Sequence, residues 1–166
     1  MNDIWNHEYE TMRRDELREL QFKRLQMSLR WAYDNVPFHR ERWQALRLKP
    51  ADIRSLDDLV KVPFSQKSDF KAAYPYGLFA LPLEKVLRIH ASSGTTSNPT
   101  VVGYSRGDLN TWSELCARVA VAGGARDHDV AQITFGYGLL TGGHGMQAGL
   151  ERIGATVITA STGNTQ

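Results

Sequence analysis

The sequence predicts an α/β protein in two parts: an N-terminal helical arm, then a partial mixed or parallel sheet layer. Three observations predict it. Apolar residues recur at helical spacing through residues 13–35, while from residue 86 short β-branched runs alternate with capped helical stretches. Glycine divides the chain the same way: of 14 glycines, only Gly77 precedes residue 92. The expected division is therefore 1–85, helical arm and connecting segment, and 86–166, an α/β subdomain.

In the arm, Leu17, Leu20, Leu25, Leu29 and Ala32 or Tyr33 are spaced by three to five, which is helical and not alternating. Pro37 ends that helix and pushes Val36 into an extended conformation. A second helix is expected from Phe38 to about Leu46. Residues 47–85 read as connecting structure punctuated by Pro63, Pro75 and Pro82. Ser55 is expected to cap a short helix through Leu59-Val60, and Ser65 another from Gln66 to about Ala73.

The second part predicts strands over 86–91, 100–104, 130–135 and 156–159, from their β-branched and aromatic content. Ser105 followed by Asp108 predicts a capped helix running to Ala122, where Gly123-Gly124 ends it. A further helix is expected from Gly143 to Ile153, closed by Gly154.

Composition narrows the function. Twenty Lys+Arg against 18 Asp+Glu leave a net charge of +2, too balanced for a nucleic-acid footprint. The basic residues of the arm alternate with acids, as on a solvated helix face. The one cysteine, Cys116, reads as a small buried hydrophobe. No apolar run approaches the ~18 residues of a membrane span, and the first residues lack a signal-peptide pattern. The cytoplasm is the expected compartment, with neither membrane nor nucleic acid as partner.

The strongest chemical signal is Ser92-Ser93-Gly94-Thr95-Thr96-Ser97-Asn98-Pro99-Thr100, between two predicted strands. Hydroxyl donors around a glycine suit a polyphosphate, because glycine lets backbone N–H groups approach an anion. A Ser/Thr-rich hairpin turn has the same composition. Walker A is excluded, since Pro99 stands where its Gly-Lys-Ser/Thr belongs. The dinucleotide fingerprint fails at Thr141, and no acid follows at the ribose position. No G-x-S-x-G elbow is present.

At this loop the sequence resembles a known family. Ile89-His90-Ala91-Ser92-Ser93-Gly94-Thr95-Thr96 is similar to the phosphate loop of adenylate-forming enzymes, and specifically of phenylacetate–CoA ligases, whose usual text is IHASSGTTGKPT. Val36-Pro37-Phe38-His39-Arg40 resembles that family's VPFYR, and Val101-Val102-Gly103-Tyr104 its VVGYT. Gly136-Tyr137-Gly138-Leu139 with Thr141-Gly142-Gly143 resembles YGYGLFTGG, and 151–158 resembles AERLGATVI. The likeness covers nearly the whole chain, in the family's order.

The resemblance implies the N-terminal domain of an adenylate-forming enzyme and a two-step reaction. A carboxylate attacks the α-phosphate of ATP, giving acyl-adenylate and pyrophosphate; coenzyme A then displaces AMP. ATP, Mg²⁺ and coenzyme A are the implied substrates and cofactor, and an aryl carboxylate the implied acid. Ser92, Ser93, Gly94, Thr95 and Thr96 would hold the phosphates, and Phe135, Gly136, Tyr137 and Leu140 would line the acyl pocket. Tyr137 is equally suited to pack in the core.

Departures from the family text matter. Its Gly-Lys pair is Ser97-Asn98 here, which removes a point charge near the triphosphate. Phe135 and Leu140 replace aromatic residues, putting phenylacetate itself in question. His144 and Gln147 stand where leucine and histidine are usual. A lone histidine in a glycine-rich turn is more often a hydrogen-bonded loop residue than a catalyst.

The family's adenine and ribose motifs and its adenylation lysine lie beyond the text matched here, so no catalytic residue is assigned. The chain is expected to be the N-terminal piece of a ligase, inactive by itself. Two other classes stay open: a non-catalytic anion-binding module, and an oligomerisation fragment forming a homodimer through the helical arm, which without its partner domain would expose Trp31 and Trp43. A sibling enzyme for another carboxylate is the alternative within the ligase reading.

Overall fold

A computed structural model describes residues 4–92, 99–139 and 141–163. The described residues form two compact units: 12–85 with 99–101, and 4–11 with 86–92 and 102–163.

The first unit is helical. Helix α1 (His7–Glu10) belongs to the other unit; α2 (Arg14–Asn35), α3 (Pro37–Ala45) and α4 (Lys67–Ala72) belong here, with short 3₁₀ turns between them. Val36 is extended (φ −117°, ψ 102°) and closes α2 while opening α3, with Pro37 in the first turn of α3, where its missing N–H costs nothing. The apolar stripe of α2 faces inward only in part. Leu29 meets Trp43, Leu48 and Ile53 in the core, while Leu25, Tyr33 and Val62 pack around them. The Tyr33 and Trp43 rings lie 5.8 Å apart. Trp43 is therefore a core residue, 3% exposed, against the expectation that it would be bare. Trp31, on the far side of α2, is 52% exposed as expected.

Two expected serine caps are replaced by carboxylates. The Asp58 carboxylate accepts from the Arg54 and Ser55 N–H groups ahead of a 3₁₀ turn (Asp57–Lys61), so Ser55 receives no capping role. Likewise Asp69 accepts from the Gln66 N–H at 2.7 Å, and α4 begins one residue later than Ser65 predicts. A carboxylate offers acceptors without a proton to place, which suits the exposed N–H groups of a helix start.

The second unit is α/β. Strand β1 (Arg88–Ala91) pairs with β2 (Val101–Tyr104), and β3 (Val130–Gln132) pairs in parallel with β4 (Thr156–Ile158). Helix α5 (Arg106–Ala122) precedes β3, and α6 (Gly142–Ile153) makes the crossover between β3 and β4. The register sets Val130 against Thr156 and Gln132 against Ile158. Strand β3 is shorter than the run to Phe135 suggested. Only Ile133 continues the ladder, donating to the Ile158 carbonyl.

Helix α5 begins, and α6 ends, as the sequence directs. The Ser105 hydroxyl accepts from the Asp108 N–H at 3.2 Å, and the Asp108 carboxylate accepts from the Ser105 N–H at 2.8 Å. At the end of α6, Gly154 takes φ +94°, a left-handed conformation in which a side chain would be strained.

The core lies between the helices and the β3–β4 pair: Ala117, Ala120 and Val121 of α5, Leu150 and Ile153 of α6, then Ile133 and Ala155. Small residues let the two helices approach closely. A Cβ on Gly145 would sit 2.5 Å from the Trp112 indole, and one on Gly149 would sit 2.5 Å from Cys116 Cβ and 2.8 Å from the Ala117 nitrogen. The Ser113 hydroxyl donates to the Ala148 carbonyl across the same seam, at 2.8 Å.

Residues 4–11 join this unit through Glu114 on α5. Its carboxylate accepts from Asn6 Nδ2 (2.8 Å), Trp5 Nε1 (3.0 Å) and Arg152 Nε (3.0 Å). Burial alone would raise its pKa, but these donors and the Arg152 charge together hold it at about 2.

The helix seam gives a stability prediction. Gly149→Ala is expected to lower stability by about 1–3 kcal/mol through overpacking against α5 backbone. Gly138→Ala, where a Cβ meets nothing within 4 Å among the described residues, should stay within about 1 kcal/mol of the parent. Urea unfolding midpoints of the two variants check the contrast.

Candidate functional site

Strand β1 leads directly into the Ser92–Thr100 segment. Ser92 is exposed at the strand's exit, while Ser93, Gly94, Thr95, Thr96 and Leu140 lie outside the described residues. What the structure does describe is the wall behind that exit.

His90 is 2% exposed, whereas its neighbours Ile89 and Leu87 are 37% and 53% exposed. A strand places alternate side chains on opposite faces, and here the inward phase falls on the histidine. Its ring sits among Tyr104 of β2 (5.3 Å between centroids), Trp112 of α5 (5.7 Å) and His144 of α6 (5.4 Å), each edge-on. Tyr104 and Trp112 stack at 17° and 5.2 Å. Trp112 is held in place by Gly145, whose missing side chain leaves room for the indole.

The polar atoms of this box reach the glycine-rich segment. His90 Nδ1 lies 3.1 Å from the Leu139 carbonyl, which also accepts from the Ala91 N–H at 3.0 Å. His144 Nε2 hydrogen-bonds the Tyr137 carbonyl. A carbonyl only accepts, so Nδ1 of His90 and Nε2 of His144 must carry the hydrogens. His90 Nε2 and the Tyr137 hydroxyl are buried with no hydrogen-bond partner among the described residues.

The four residues expected to line an acyl pocket are distributed as follows. Phe135 is 61% exposed, and Gly136 and Tyr137 are half-buried. The Tyr137 ring packs against the helix–sheet core and meets His144 edge-on at 5.2 Å. Burial, with a smaller push from the Glu151 carboxylate, raises its phenol above the ordinary range. Cys116 is half-buried, and burial likewise raises its thiol pKa, which suits a packed residue better than a nucleophile.

Sequence reasoning did not find the His90–His144 contact, because 54 positions separate the two. The available signal was the strand period, which makes His90 and not Ile89 the inward residue once the partner layer is known. Among the described residues, no group of three or more His, Cys, Asp or Glu could hold a metal ion, and no helix is long and apolar enough to cross a membrane.

No family model matches the chain. It is 50% identical over 157 residues to the phenylacetate-coenzyme A ligase of Pseudomonas putida, covering 95% of this chain and 36% of that protein. The Escherichia coli K12 protein of the same name is 48% identical over 157 residues, again 95% and 36%. In three dimensions the chain is similar to 2-hydroxyisobutyryl-CoA ligase with 2-HIB-AMP and CoA in the thioesterification state, with TM-score 0.89, 29% identity, 98% of this chain and 35% of that one covered. The same enzyme with 2-HIB-AMP in the postadenylation state gives TM-score 0.88 and 28% identity, with the same coverages.

The fold is that of the N-terminal domain of the adenylate-forming CoA ligases. Within that class the sequence is similar to the phenylacetate–CoA ligases, of whose length the chain spans 34–37%.

The unpartnered hydroxyl yields a prediction. A buried polar group without a partner costs about 1–3 kcal/mol, so Tyr137→Phe should match or exceed the parent in stability. A loss of more than about 1 kcal/mol in thermal or urea unfolding would mean that the hydroxyl is satisfied.

Proposed function

We propose that the chain supplies the phosphate-binding loop and one wall of the acyl pocket to an ATP-dependent aryl-acid CoA ligase. The observation that carries this reading is the Leu139 carbonyl, held jointly by His90 and Ala91. That link sets the glycine-rich segment beside the exit of β1, where the loop proposed for the phosphates begins. A polyanion and a carboxylate must approach each other for adenylation, so their binding segments need to be neighbours.

In the proposed reaction, a carboxylate oxygen attacks the α-phosphorus and the bond to the β-phosphate bridging oxygen breaks, releasing pyrophosphate. The coenzyme A thiolate then attacks the acyl carbon, and AMP leaves with the electron pair of the broken C–O bond. Ser92, Ser93, Gly94, Thr95 and Thr96 are assigned to the β- and γ-phosphates, by hydroxyl and backbone N–H donation. Phe135, Gly136, Tyr137 and Leu140 are assigned to the aryl ring. Mg²⁺ is assigned to the nucleotide's phosphates, because this ion keeps most of its waters and is commonly held through substrate phosphates. An uncharged loop relieves repulsion by donors alone, which suits an ion-paired triphosphate better than a bare one.

The cytoplasm is the compartment proposed for this chemistry, since ATP and coenzyme A are intracellular substrates. A homodimer through α2 is proposed as well, supported by Met27 (64% exposed) and Trp31 (52%), one turn apart on its outer face. Light scattering should then give a dimer mass that falls to the monomer value in Trp31→Glu; a monomeric parent would overturn it.

Adenylation by the chain alone is not part of the proposal, because none of its residues is assigned to act on the α-phosphate. Calorimetry should detect ATP and pyrophosphate binding that weakens about tenfold or more, ~1.4 kcal/mol, in Gly94→Val. ATP–pyrophosphate exchange with phenylacetate should stay at background. Absence of nucleotide binding would overturn the loop assignment, and clear exchange would overturn the division of labour.

A further inference from the structure

Two histidines hydrogen-bond the same short segment at carbonyls two residues apart. His90, at the end of β1, meets the Leu139 carbonyl, and His144, in the first turn of α6, meets the Tyr137 carbonyl. The two rings touch each other, 5.4 Å between centroids. His90 is fixed further by Tyr104 and Trp112, so β1, β2, α5 and α6 all contribute to where its Nδ1–H points.

Packing does not require histidine here. An inward site boxed by three aromatic rings would accept phenylalanine, without the cost of burying an imidazole nitrogen that has no partner. What histidine adds is the donor. Leu139 shows why a donor is useful: its side chain is 62% exposed, so hydrophobic burial does little to hold this part of the segment, and its carbonyl carries two hydrogen bonds instead.

We propose that His90 and His144 are positioning residues, whose N–H groups fix the Tyr137–Leu139 backbone and thereby set the wall of the aryl-carboxylate pocket. This rests on the acyl-pocket assignment made above. The two donors differ in reach, which gives the proposal a specific signature. Asparagine places its amide nitrogen near the imidazole Nδ1 position, and glutamine places its own near Nε2. His90 should therefore be replaceable by asparagine but not glutamine, and His144 by glutamine but not asparagine.

The test uses the 166-residue chain, ¹⁵N-labelled, with phenylacetate as the probe. Imidazole ¹⁵N shifts should show His90 protonated at Nδ1 and His144 at Nε2; the opposite tautomer at either residue would overturn its role. The Ala91 amide, which donates to Leu139, reports whether the segment is held. His90→Phe is expected to speed its hydrogen exchange and to weaken phenylacetate binding, each by about tenfold. Amides in the α5–α6 core, such as Ala117 and Leu150, should keep their rates, and His90→Asn should restore both readouts. If His90→Phe behaves as the parent, or if asparagine fails as phenylalanine does, the residue only packs and the proposal is wrong. Should His90→Phe not fold, the asparagine–glutamine contrast at both positions decides in its place: equal behaviour of the two replacements overturns the proposal. If the parent chain shows no phenylacetate-induced shifts, the acyl-pocket reading itself fails and the positioning role falls with it, a result distinct from intact binding in the variants.

Discussion

The close approach of α5 and α6 is the constraint from which the site follows. Gly145 and Gly149 lie one turn apart, and at each the space of a side chain is taken by the facing helix. The indole of Trp112 occupies the first space, stacks on Tyr104 and meets the edge of His90. Cys116 occupies the second, with α5 backbone directly behind it. Because the helices are this close, His144 at the start of α6 reaches the ring of His90 at the end of β1. A wider helix pair would leave the two histidines apart, and the glycine-rich segment without its two backbone anchors.

Electrostatics reinforces the same arrangement from outside. Glu114 projects from α5 to collect Arg152 of α6 and the Trp5 and Asn6 side chains of the N-terminal segment. One carboxylate thus ties three stretches of chain that are remote in sequence. Its pKa of about 2 is depressed from 4.5, so this stabilisation is complete above the unfolded pKa and is lost as pH falls toward 2. The folded unit keeps these links throughout the neutral range, where nucleotide chemistry takes place.

The site itself illustrates how polar atoms are spent. Two carbonyls of the glycine-rich segment are satisfied by imidazole donors, His90 buried and His144 half-buried, while an imidazole nitrogen and a phenol are left unpartnered among the described residues. Such groups oppose folding, and their retention fits a wall built for orientation more than for stability. In the proposed reading that orientation has a purpose: the segment meets the end of β1, from which the proposed phosphate loop follows in sequence.

Local signals were readable wherever the controlling interaction was itself local. Ser105 with Asp108 marked the start of α5, Gly154 marked the end of α6, and Pro37 separated α2 from α3, since each acts on its own turn of backbone. The motif at 89–96 also carried the resemblance to phenylacetate–CoA ligases, because such a likeness is read from residue order alone. Where nearby groups compete, the sequence was less decisive: Asp58 and Asp69 captured N–H groups that Ser55 and Ser65 were expected to satisfy. Long-range choices were not legible at all. Whether Trp43 is bare or buried depends on Leu29 and Ile53 arriving from elsewhere, and whether Ile89 or His90 faces inward depends on which side of β1 the helices cover. By itself the sequence determined most of the elements, the start of α5 and the end of α6, all set by contacts a few residues long. Only the tertiary structure decided the inward histidine, its partner 54 residues on and the backbone they hold, because those depend on how closely two helices pack.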